Sequence, residues 1–174
     1  MQENETNFGR NQLQTISMSE LYENVYPGKT PIIDGLLYGG TYLFVGAPKI
    51  GKSFLMAQIA YHVSTGKELW ENEVRQGKVL YLALEDDYSR LQKRLYRMFG
   101  TDGTDNLYFS VSARNLNGGL FEQLEKFISE NSDTRLIIID TLQKVRESAT
   151  EKYSYASDYE VIAQLKNFSD RYGI

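Results

Sequence analysis

The residues Gly46-Ala47-Pro48-Lys49-Ile50-Gly51-Lys52-Ser53 satisfy the spacing G-x-x-x-x-G-K-[ST], and the chemistry of that pattern is the capture of a triphosphate. Glycine lets the backbone turn its N–H groups inward around phosphate oxygens. Lys52 is expected to reach the β- and γ-phosphates. The Ser53 hydroxyl is expected on Mg²⁺, an ion that keeps most of its waters and takes few protein ligands. A helix opening near Lys52 adds its positive dipole end, so the nucleotide-binding stretch runs from Gly46 to Phe54. The plainer reading is a glycine-rich turn with an exposed lysine, and it leaves the apolar run before the motif and the helical spacing after it unexplained. Lys49 is either a second cation near phosphate or, by default, a solvent-facing loop lysine.

Acids stand at the ends of two apolar runs. Leu136-Ile137-Ile138-Ile139 leads into Asp140, and Val79 to Leu84 leads into Glu85-Asp86-Asp87. A carboxylate at Asp140 would emerge at the sheet edge that carries the phosphate loop and hold Mg²⁺, directly or through a water; capping the turn into Thr141 is the structural alternative, and both uses can coexist. Three neighbouring carboxylates are costly without a cation. In-line attack on a γ-phosphate needs a group that orients the water, and Glu85, nearest the strand, is the expected one. Asp87 reads equally well as a helix N-cap ahead of Tyr88.

The elements that must position these groups follow from apolar periodicity. Thr41–Val45 reads as a first strand stopped by Gly46, and Ser53 to Ser64 as a helix ending before Gly66. Lys78 to Leu84 is a second strand, and Tyr88 to Phe99 a helix closed by Gly100. Leu107 to Val111 is a third strand, followed by a helix with its stripe at Leu120, Phe121, Leu124, Phe127 and Ile128. Leu136–Ile139 lacks polar alternation, as expected of a middle strand covered on both faces. Thr150–Asp158 reads as a loop, and Val161, Ile162, Leu165 and Phe168 define a last helix. Strands alternating with helices imply an open α/β sheet whose ligands bind beyond the strands' carboxyl ends.

Composition narrows the class. The chain has 174 residues, 41% apolar and 24% charged, which suits one globular domain. Its formal charge of -4 excludes a broad cationic face for nucleic acid. With no cysteine and a single histidine, His62, thiolate zinc and multi-histidine sites are impossible. The polar start, Met1 to Gln14, fits neither a secretion signal nor a transit peptide, and no apolar run approaches membrane-spanning length. A cytoplasmic protein without membrane contact is the expectation.

Together these residues resemble RecA-like P-loop ATPases, in particular the branch of RepA-type hexameric replicative helicases and related mobile-element AAA ATPases. The resemblance is carried by Ile33-Asp34-Gly35-Leu36-Leu37, Gly46 to Ser53, Glu85-Asp86-Asp87 and Leu136 to Thr141. It implies a three-layer α/β core with a mainly parallel sheet over residues 27–174, preceded by a polar tail and short helix over 1–26. It implies ATP and Mg²⁺ as cofactors, with Glu85 as the catalytic glutamate and Asp140 as the Walker B aspartate. It also implies a homo-oligomeric ring, such as a hexamer, with the loop after Asp140 facing the pore and Lys144, Arg146 and Lys152 as candidate contacts to DNA. That loop also carries Glu147 and Glu151, so a solvated charged loop is the default for it and DNA is weakly supported. Members of the group continue into strands with a polar sensor residue and an arginine finger, so the core is expected to be truncated at Ile174, with apolar sheet edges exposed.

Two other classes compete with a hydrolytic motor. One is a nucleotide-dependent switch without turnover, in which ATP orders residues 141–158. The other is a small-molecule kinase, which needs an arginine-rich lid that is not evident. No base-reading motif separates ATP from GTP. His62 reads as a satisfied helical histidine, Tyr153, Tyr155 and Tyr159 as packing or loop residues, and Arg90 and Arg94 either as neighbours of a base or subunit or as a solvated basic face.

Overall fold

The computed structural model describes residues 13, 15–26, 28, 30–146 and 155–174, with side chains from 159 onward in the last stretch. Ser17 opens α1 (Met18–Glu23) with a capping box: its hydroxyl accepts from the Glu20 N–H while the Glu20 carboxylate accepts from the Ser17 N–H. None of α1 is buried. β1 (Pro31–Ile33) and β2 (Leu37–Tyr38) then pair antiparallel around a turn at Asp34-Gly35-Leu36.

α2 (Lys52–Thr65) lies between Gly51 and Gly66, both in the left-handed region, and the Gly66 N–H closes it on the His62 carbonyl at 2.8 Å. A tight turn over Leu69–Asn72 follows, where Trp70 and Glu71 take positive φ and the indole is 56% exposed. β3 (Lys78–Ala83) leads into α3 (Tyr88–Phe99), capped by Asp87 and ended at Gly100. β4 (Leu107–Ser110) precedes a turn over Leu116–Leu120, kinked at Gly119 with φ +108°, that runs into α4 (Phe121–Glu130). β5 (Thr134–Asp140), the short α5 (Leu142–Val145) and α6 (Tyr155–Tyr172) complete the described elements.

The main sheet is parallel, in the order β4-β3-β5. Because side chains alternate along a strand, Val79, Tyr81 and Ala83 of β3 join Ala57, Ala60 and Val63 of α2 and Leu91 of α3 in one buried cluster. Leu80 and Leu82 face the other way, into a second cluster with Leu120, Leu124, Val145 and Phe168. Helices therefore cover both faces, giving the α/β/α layering that the strand–helix alternation implies. The register pairs Ala83 with Asp140, so the tips of β3 and β5 end side by side.

Three expectations are corrected. Thr41–Val45 forms no strand: it has no ladder partner among the described residues, and Tyr42, Leu43, Phe44 and Val45 are all at least half exposed. An apolar run becomes a strand only when another strand bonds to it. For the same reason the middle strand is β3, not Leu136–Ile139; β5 is covered on both faces but, among the described residues, pairs only with β3. The last helix begins at Tyr155, so the expected loop is helical over 155–158, and the rest of it, with Lys152 and Tyr153, lies outside the described residues.

Candidate nucleotide site

The phosphate loop takes its shape from local backbone angles. Lys49 has φ +64° and Gly51 φ +96°, and alternation into the left-handed region is what aims successive N–H groups at one point. A Cβ on Gly51 would meet nothing within 4 Å, so glycine is required there by the angle and not by space. The Gly51 carbonyl accepts from the N–H groups of Phe54 and Leu55, both at 3.0 Å, and so starts α2 at the loop. Every residue from Gly46 to Gly51 is exposed. The Lys52 ammonium donates to the carbonyls of Gly46 at 2.7 Å and Ala47 at 2.8 Å. Two of its three N–H bonds thus brace the loop.

Asp140 and the start of α2 meet at the hydroxyl of Tyr81. On the middle strand, Tyr81 is 1% exposed, and its hydroxyl donates to Asp140 Oδ2 at 2.8 Å, while the Ser53 carbonyl lies 3.5 Å from the Tyr81 hydroxyl oxygen. Asp140 and the serine of the phosphate loop therefore sit within reach of one hydroxyl. Burial raises the Tyr81 pKa, and the negative charge of Asp140 raises it further, so the phenol keeps its proton at neutral pH. Glu85 accepts from the Thr141 hydroxyl at 3.4 Å, which joins the tips of β3 and β5.

The three consecutive acids have separate surroundings. Glu85 is exposed. Asp86 is buried to 6% side-chain exposure and paired with Arg94 and, at 3.3 Å, with Arg90. Asp87 caps α3, accepting from the Arg90 N–H at 2.9 Å. Two arginines answer the crowding of charge at Asp86. Arg94 also lies 5.4 Å over the Phe54 ring, so the solvated-face reading of this residue is corrected: its side chain is 18% exposed and tied to the first turn of α2.

Ser53 and Asp140 offer a hydroxyl and a carboxylate, the hard oxygen donors that Mg²⁺ takes. No cluster of three or more His, Asp or Glu that could hold a metal forms among the described residues. His62 is half-buried, with Nδ1 3.0 Å from the Lys67 carbonyl, as a satisfied helical histidine. Lys144 is exposed beyond Asp140, and Tyr159 is exposed on α6. A cavity of about 400 Å³ opens elsewhere, between α3 and the outer strand, lined by Tyr61, Leu95, Tyr96, Phe99, Leu107 and Phe109; no phosphate-loop residue lines it. Sequence reasoning missed Tyr81 and the pairing of Asp86 with Arg94. A lone hydroxyl inside the apolar run Val79–Ala83 was the available signal for the first.

A sequence model of the AAA domain matches residues 10–174, nearly the whole chain. The chain belongs to the AAA domain family. It is thus a nucleotide-binding, ATPase-type P-loop domain. No curated protein matches the sequence. No helix among the described residues of this AAA domain is long and apolar enough to cross a membrane.

Proposed function

We propose that this AAA domain binds ATP with Mg²⁺ on Gly46–Phe54 and hydrolyses it as a RecA-like motor of the RepA type. In this reading residues 27–174 form the core, and the loop amides and Lys52 neutralise the phosphates. Ser53 and Asp140 hold Mg²⁺, which supplies charge neutralisation at the β- and γ-phosphates. Glu85 accepts a hydrogen bond from the attacking water and orients it toward the γ-phosphate, while Lys52 and the loop N–H groups stabilise the developing charge. A second copy in a homo-oligomeric ring, a hexamer by resemblance, completes the site, and DNA is the track, consistent with replication or mobile-element maintenance in the cytoplasm. The observation that carries the proposal is the meeting of three separate elements: Asp140 accepts from the Tyr81 hydroxyl, which lies 3.5 Å from the Ser53 carbonyl, and Glu85 stands beside Thr141.

The test is nucleotide affinity and phosphate release, with and without DNA. Lys52→Ala is expected to weaken ATP binding at least about tenfold, the scale of one charge-assisted hydrogen bond. Glu85→Gln is expected to keep affinity and lose most of the turnover. Unchanged affinity in Lys52→Ala would remove the site. Equal turnover in Glu85→Gln would remove that residue's role, and binding without any phosphate release would favour the non-hydrolysing switch.

A further inference from the structure

Tyr81 stands on the middle strand, flanked by apolar neighbours, with its ring tilted against Phe109 at 5.5 Å between centroids. A phenylalanine would fill that volume equally well. What tyrosine adds is one O–H, and a phenol has a single proton to donate. It goes to Asp140, 59 residues away in sequence, at 2.8 Å; the Ser53 carbonyl, at 3.5 Å, lies at the limit of a hydrogen bond. The partner is a carboxylate, which only accepts.

The consequence lies in the direction of that carboxylate. Rotation about the terminal bond of an aspartate is broad and weakly restrained. A donor fixed in a buried strand removes that freedom by engaging Oδ2, so Oδ1 is presented in one direction. The main chain of Asp140 is already held, since its carbonyl accepts from the Leu84 N–H at 2.7 Å and its residue pairs with Ala83. Backbone and side chain are therefore both referenced to β3.

We infer that Tyr81 is a positioning residue for magnesium: its hydroxyl holds one oxygen of Asp140 so that the other meets the ion beside Ser53. This rests on the reading of Asp140 as the magnesium carboxylate. Outer partners of metal ligands are commonly worth about 10- to 100-fold in metal affinity, and a single neutral donor belongs at the lower end.

The experiment measures binding of a fluorescent ATP analogue over a Mg²⁺ titration and again in EDTA, with no turnover required. Tyr81→Phe is expected to raise the Mg²⁺ concentration for half-maximal tight binding about tenfold, while affinity in EDTA and the melting temperature stay close to wild type. In an Asp140→Ala background the same substitution should add no further shift, because the group it acts through is gone. An unchanged Mg²⁺ requirement in Tyr81→Phe, with Asp140→Ala shifted, would overturn the role of Tyr81 alone. An unshifted Asp140→Ala would overturn the underlying reading of Asp140. Equal weakening in EDTA and in Mg²⁺ would show that the hydroxyl serves packing only.

Discussion

At the scale of single residues, the phosphate loop depends on a backbone angle. Gly51 sits at φ +96° with open space where a Cβ would go, so Gly51→Ala introduces no clash, only the penalty of forcing an L-residue into the left-handed half of the map, about 1–2 kcal/mol. Loss of several degrees in melting temperature together with weaker ATP binding is expected; a substitution neutral in both would mean that the loop does not need this angle. Such local features were legible in the sequence. The glycine at position 51 ahead of a helical stripe marks the turn into α2, and Asp87 ahead of a helical stripe names the cap of α3. Tyr81 and Arg94 were not legible, because a side chain's partner across the sheet is set by register and not by neighbouring letters. Asp140 lies 59 positions from Tyr81, and the eight-residue gap from Asp86 to Arg94 matches no simple helical pairing.

At the scale of elements, α3 is the lever that fixes the acidic turn. Its cap, Asp87, adjoins the buried Asp86, whose ion pairs reach back from Arg90 and Arg94 along the helix. Removing the cap with Asp87→Ala is expected to cost about 1 kcal/mol in a urea titration. A change below about 0.3 kcal/mol would mean that water replaces the cap fully, the outcome usual for surface substitutions. Both α2 and α3 were legible because a glycine follows each apolar stripe, at Gly66 and Gly100. Strand neighbours were not. The unbroken run Leu136–Ile139 correctly implied cover on both faces, with Ile138 toward α2 and Ile137 and Ile139 toward α4 and α6. Being covered by helices, however, says nothing about which strands lie alongside, so β5 and Thr41–Val45 could not be ordered from pattern alone.

At the scale of the whole molecule, the unpaired stretch before the phosphate loop is a liability. Tyr42, Leu43, Phe44 and Val45 are 50% to 76% exposed, and an apolar segment without ladder partners is a template for another chain. The chain is therefore expected to self-associate with rising concentration, and Phe44→Lys to suppress this in light scattering. Equal scattering from both proteins would place the sticky surface elsewhere. A net charge of -4 offers only weak repulsion against such contacts. The turn at Leu69–Asn72 carries a practical consequence of another kind. Trp70 is the sole indole of the chain, placed past the far end of the 14-residue helix α2, about 20 Å of helix from the loop. Intrinsic emission excited in the indole band will therefore be blind to nucleotide arrival, and spectroscopists will need a label on the nucleotide or a tryptophan introduced nearer to it.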